Sequence, residues 1–207
     1  MSILGSKADT LEWLCTRVQL SQIGEQVNFT VGDWHTDQHP ILDAIREKFG
    51  PHALVVRSSA LTEDSWSGSN AGAFTSVLDV PGSNRSQVTI AIDEVICSYG
   101  DDDAAHQVLV QAMLTDVRMH GVVLTRTLNY GPYYTVTYDD TTGSTETVTS
   151  GRGQEVTTVV VHRGHENLSQ GLNPRLPLIQ CEIPWSRFLS TFSVTTIAFL
   201  RFYSIRS

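Results

Sequence analysis

The chain has 207 residues, 41% hydrophobic and 17% charged, with 22 Asp and Glu against 14 Lys and Arg for a net charge of -8. That balance excludes a disordered polymer. With no basic face legible in the sequence, it also argues against a nucleic-acid partner.

The length suits one large domain or two lobes sharing a site, enough to bury roughly 70% of the surface an unfolded chain exposes. No uncharged apolar run reaches the ~18 residues of a membrane span. The first residues carry no basic-then-apolar signal pattern. A cytoplasmic protein with no membrane partner is therefore expected. Cys15, Cys97 and Cys181 are odd in number and far apart, which argues against a disulfide framework and a zinc site.

In chain order, Gly5-Ser6-Lys7 precedes a helical pattern of Leu11, Leu14, Cys15 and Val18 at spacings of three and four. A lysine beside a glycine at a helix start suits a phosphate; a plain surface lysine is the alternative reading. Val27 to Val31 reads as a strand. His39-Pro40 opens a helix with Ile41, Leu42, Ile45 and Phe49 on its apolar stripe, and Gly50-Pro51 ends it.

An apolar strand from Ala53 then stops at Arg57-Ser58-Ser59. A segment with Gly68, Ser69, Gly72, Thr75 and Ser76 follows, and a second strand runs to Val80. Arginine at a strand end supplies a planar, permanently charged fork for phosphate oxygens. A Gly/Ser loop beside it offers unobstructed backbone N–H groups, the chemistry of an anion nest. Strand, surface turn and strand, without a site, is the competing reading.

Pro81-Gly82-Ser83-Asn84 is a turn. Ser86 is placed to cap a helix with Val88, Ile92, Val95, Ile96 and Tyr99 on one face and Gly100 closing it. Val88, Ile90 and Ile92 also alternate, so a strand competes. Val108 to Leu114 reads as a buried strand interrupted by Gln111. Tyr133 to Tyr138 is a strand, Asp139 to Gly143 a turn, and Gln154 to Val161 a further strand.

The run Val56-Arg57-Ser58-Ser59-Ala60, Glu63-Asp64, then Ser69-Asn70-Ala71-Gly72 through Ser76, Leu78 and Val80 resembles the ATP-binding domain of the phosphoenolpyruvate synthase, pyruvate phosphate dikinase and rifampin phosphotransferase family. Leu4-Gly5-Ser6-Lys7-Ala8-Asp9-Thr10-Leu11 is similar to that family's L-G-G-K-x-x-x-L, with Ser6 for the second glycine. The stretch around Gln111 resembles V-x-V-Q-x-M-[VL]. His120 to Arg126 is similar to S-G-V-x-F-T-R, with His120 for the serine and Leu124 for the phenylalanine. Gly143 to Gly151 lines up with G-x-G-E-x-V-V-S-G, with Glu146 on the acid and Thr145 for a glycine. The resemblance covers about Leu4 to Val161.

It implies an α/β (α+β) fold: an ATP-grasp-like, two-lobed nucleotide-binding domain with a mixed sheet. It also implies ATP and Mg²⁺ as ligands. Lys7 and Arg57 would hold phosphate oxygens, Arg57 as the catalytic cation. Ser69, Gly72 and Ser76 would line the phosphate loop. Gln111 would face the nucleotide, Arg126 would lie beside it, and Glu146 would help hold the metal, Mg²⁺ being a hard cation that takes oxygen ligands. Surface positions are the alternatives for Arg126 and Glu146. In this family ATP is cleaved to AMP, a histidine on a mobile domain carries the phosphoryl group, and pyruvate or another small acceptor receives it.

None of the seven histidines lies in a recognisable version of that histidine motif, so the acceptor would be reached through a histidine domain this sequence lacks. His162 and His165, three apart, have no further ligands in reach of the sequence pattern and read as solvent-exposed. The family's acidic D-I-E-[WF] and Q-x-R-P strands are not found. Ile183 to Ser207 holds no Asp, Glu, Gly or Lys. The expected organisation is therefore a nucleotide-binding domain over 1–182, lacking its closing strands, and a divergent or frameshifted tail over 183–207. An ATP-dependent phosphotransferase is the first functional reading, and a non-catalytic nucleotide-binding or regulatory remnant the second.

Overall fold

A computed structural model describes residues 6–17, 23–60, 75–115, 117, 119–124, 133–141, 156–162 and 197–202. The chain divides into two compact units, Met1–Met113 and Leu114–Ser207. The boundary expected at 182/183 falls outside the described residues.

The first unit begins with helix α1 (Lys7–Cys15), closed at its start by a reciprocal box. Ser6 Oγ accepts from the Asp9 amide at 3.2 Å, and Asp9 Oδ2 accepts from the Ser6 amide at 3.0 Å. Strand β1 (Gln26–Thr30) follows. Val31, expected at the strand's end, instead opens α2 (Val31–Thr36), a six-residue helix with the same kind of box between Thr30 and Asp33. Helix α3 (Gln38–Phe49) buries Leu42, Ile45 and Phe49 from the expected stripe. Pro40 sits in its first turn, where no backbone donor is needed.

Strand β2 (Ala53–Ser59) carries Arg57 and ends at Ser59. Strand β3 (Ser76–Pro81) follows, and helix α4 (Arg85–Cys97) settles the contest between helix and strand. Val88 and Ile92 are buried while Ile90 is 63% exposed, as a period of 3.6 requires and a period of 2 forbids. The cap of α4 is Asn84, not Ser86: its side chain accepts from the Gln87 amide at 3.2 Å. Ser86 already lies inside the first turn. Strand β4 (Gln107–Ala112) completes the unit.

These strands form one antiparallel sheet in the order β1-β4-β2-β3. One face is apolar. Val56, Val108 and Val110 meet Leu42 and Ile45 of α3 and Val88, Ile92 and Val95 of α4 in a single buried cluster. Between Leu54 and Val56 the β2–β3 register shifts, and Asp79 takes up the extra residue at φ 58°.

The opposite face carries most of the sheet's polar side chains, with buried Val55 and Leu109 among them. Antiparallel register puts paired residues on the same side. Gln26, Gln111 and Val55 form one row across β1, β4 and β2. Asn28, Leu109, Arg57 and Ser76 form the next, reaching β3. Thr30, Gln107 and Ser59 form a third.

The second unit is described through strands β5 (Met119–Leu124), β6 (Tyr133–Asp139), β7 (Thr157–His162) and β8 (Ile197–Phe202). They form an antiparallel sheet in the order β7-β6-β5-β8. Part of the C-terminal stretch thus forms a strand, Ile197 pairing with Leu124 and Phe202 with Met119. Buried His120 and Asp139 stand directly opposite one another on β5 and β6, His120 Nε2 lying 3.9 Å from Asp139 Oδ2. Helices together with two antiparallel sheets make the chain a mixed α+β protein. Among the described residues, no helix is long and apolar enough to cross a membrane.

Candidate functional site

The polar face of the first sheet positions the candidate site, and α1 lies across it. Four contacts hold the start of the helix, at Ser6, Ala8 and Asp9, there. Ser59 Oγ accepts from the Ala8 amide at 2.8 Å. Gln26 Nε2 donates to the Ala8 carbonyl at 3.1 Å. Ser6 Oγ donates to Gln107 Oε1, and Gln107 Nε2 donates to Asp9 Oδ1 at 3.2 Å. Each sheet partner belongs to a polar row. Only Ala8 is buried along the helix, Leu11 and Leu14 are half-buried, and Cys15 is exposed, so the expected apolar stripe is not what anchors α1.

Lys7 sits between the two anchored residues. Its Nζ donates to the Ser58 carbonyl at 3.2 Å, at the residue that follows Arg57. Two cationic side chains from segments fifty residues apart are thereby brought to one end of β2. Arg57 is half-buried and shares its face with Ser76, its direct partner on β3, and with Gln111, one row away on β4. Ser76 is exposed and Gln111 half-buried. Of the residues expected in the site, Arg57, Ser76 and Gln111 share one sheet face, and Lys7 bonds to the carbonyl of the residue after Arg57. Ser69, Gly72, Arg126 and Glu146 lie outside the described residues.

The start of α1 does not itself form an anion nest. The Ala8 amide is held by Ser59, the Asp9 amide by Ser6 Oγ and the Thr10 amide by the Ser6 carbonyl. The cationic group at this helix start is the Lys7 side chain, beside the positive end of the helix dipole. Among the described residues no group of three or more His, Cys, Asp or Glu side chains comes together to hold a metal ion. His162 is exposed and meets the Tyr133 ring edge-on at 5.2 Å; His165 lies outside the described residues.

The sequence reading gave Gln26, Ser59 and Gln107 no part in anchoring α1. A signal existed. Gln26, Asn28 and Thr30 alternate with Val27 and Phe29, as Gln107 and Gln111 alternate with Val108 and Val110. Period-2 alternation of this kind marks a strand with one polar face.

No protein-family model and no curated protein matches the sequence. Among solved structures, the chain is similar to PH1788 from Pyrococcus horikoshii Ot3, at a TM-score of 0.45 and 14% identity. The match covers 84% of this chain and 66% of the length of that one.

Proposed function

We propose that the first unit is the phosphate-holding part of an ATP site, in a chain related to the ATP-grasp-like domain of the phosphoenolpyruvate synthase, pyruvate phosphate dikinase and rifampin phosphotransferase family. The observation that carries this reading is the Lys7 ammonium seated on the Ser58 carbonyl, next to Arg57. Two fixed cations on one polar sheet face answer a polyphosphate. Phosphoryl transfer needs positioning and charge neutralisation more than it needs a covalent catalyst.

In this reading Lys7 and Arg57 bind and orient phosphate oxygens. Ser76 adds a hydroxyl on the row of Arg57, and Gln111 presents its amide to the nucleotide. Ser69 and Gly72 would supply the loop over the phosphates, Arg126 a further cation, and Glu146 an oxygen ligand for Mg²⁺. The protein works in the cytoplasm, and a histidine domain on another polypeptide segment passes the phosphoryl group to pyruvate or a comparable small acceptor.

Thermal unfolding with ATP, AMP and pyruvate, each with and without Mg²⁺, tests the proposal. A ligand at 100 times its Kd stabilises by about 2.7 kcal/mol, so Mg-ATP should raise the Tm and pyruvate alone should not. ATP binding without AMP release would assign a non-catalytic nucleotide-binding module. No shift with any nucleotide would overturn the reading.

A further inference from the structure

Tyr99 follows the end of α4 and is buried within the apolar cluster, yet its hydroxyl reaches the edge of the polar face. The Ser59 amide donates to Tyr99 Oη at 3.2 Å, and Tyr99 Oη donates to the Gln107 carbonyl. Ser59 and Gln107 are the last pair of the β2–β4 ladder. The tyrosine hydroxyl bonds to both and ties this last pair of the ladder to the residue that follows α4. The ring is itself held: His106, buried, stacks on it at 4.6 Å and 27°, and His106 Nε2 lies 3.1 Å from Asp101 Oδ1.

The two residues that Tyr99 joins are those that anchor α1 on either side of Lys7. Ser59 takes the Ala8 amide, and the Gln107 side chain takes Ser6 and Asp9. The spacing of Ser59 and Gln107 therefore sets where the start of α1 rests, and with it the reach of Lys7 to the end of β2. We propose that Tyr99 is a positioning residue for the phosphate site, acting through Ser59 and Gln107 on Lys7. This rests on the nucleotide reading for its ligand, though the mechanical link does not.

Tyr99→Phe keeps the ring and its packing and removes only the bridging oxygen. Mg-ATP titration calorimetry on the whole chain should show binding weakened about tenfold, since small displacements of a positioned group carry costs of this size. In a Lys7→Met background the same substitution should change affinity by less than about twofold, because the group it positions is gone. Unchanged affinity in Tyr99→Phe, or an equal loss in both backgrounds, overturns the proposal. If the wild-type chain binds no Mg-ATP, the nucleotide reading fails, and amide hydrogen exchange then decides the positioning role. Faster exchange at Ala8 and Asp9 in Tyr99→Phe upholds it, and unchanged exchange overturns it.

Discussion

The Lys7 ammonium donates to the carbonyl of Ser58 at 3.2 Å across fifty-one positions of sequence. The bond gives a flexible four-carbon side chain one resting place at the end of β2, on the residue after Arg57. A lysine held in this way loses less rotamer freedom when a phosphate arrives than a lysine free in solvent does.

Removing either cation should be felt by a phosphate ligand far more than by the fold. Arg57→Ala is expected to cost roughly 2–4 kcal/mol of phosphate or transition-state stabilisation, as for the loss of one preorganised donor. Lys7→Ala should weaken Mg-ATP binding in the same direction. Calorimetric titration checks both, with circular dichroism to verify folding. Unchanged affinity in the two variants would remove the basis of the assignment.

Trp34 ties the short helix α2 to α4. It is 1% exposed, stacks with Phe29 at 5.6 Å between ring centroids, and donates from Nε1 to Asp93 Oδ1 at 2.8 Å. Trp34→Phe loses a charge-assisted hydrogen bond and leaves a small void, for an expected loss of about 2–3 kcal/mol. Asp93 is exposed and water can rescue part of its bonding, so Asp93→Asn should cost about 1 kcal/mol or less. Urea unfolding measures both, and equal losses would contradict this division.

Two backbone positions at the β3 edge should respond in opposite directions. Asp79 holds φ 58°, a region that strains a side chain by about 1 kcal/mol and that glycine enters freely. Asp79→Gly should therefore stabilise by up to about 1 kcal/mol. A Cβ on Gly82 would lie 2.6 Å from the His52 carbonyl oxygen and 2.8 Å from that of Gly50. Both are backbone atoms that cannot swing aside, so Gly82→Ala should destabilise by about 1–3 kcal/mol. Melting temperatures of the two variants on either side of wild type would bear this out.

Acid should loosen the start of α2. The Thr30 hydroxyl and then the Thr30 amide donate to Asp33, and these bonds hold its carboxyl below the ordinary range. A lowered folded-state pKa means the carboxylate's contribution is complete above the unfolded value, about 3.9. It is lost as pH falls through the lowered value. Urea unfolding of wild type and Asp33→Asn should differ most above pH 5 or so and converge in stronger acid. A difference constant across that range would show that the charge plays no part.

Much of the first unit is written locally. The helical stripes of α3 and α4, the helix stop at Gly50 and the polar alternation of β1 and β4 each follow from spacing within one segment. Burial of a face is an average over many neighbours, so periodicity reports it without naming them. Helix α2 escaped because six residues are too few to show a period, although the Thr30–Asp33 box that starts it was present in the sequence. The strand β8 escaped because a short apolar run does not say whether, or with what, it will pair.

What the tertiary structure alone decided is partnership. Nothing local to Lys7 points to Ser58, nothing local to Ser59 points to Tyr99, and the order β1-β4-β2-β3 is not the order of the chain. Such pairings are chosen by the free energy of the assembled sheet, in which each strand competes for every edge at once. The amino-acid sequence by itself determined which side chains were polar and on which side of each element they would lie. Folding determined that those sides became a single surface with α1 across it, because only packing the apolar faces against α3 and α4 leaves the polar ones to meet.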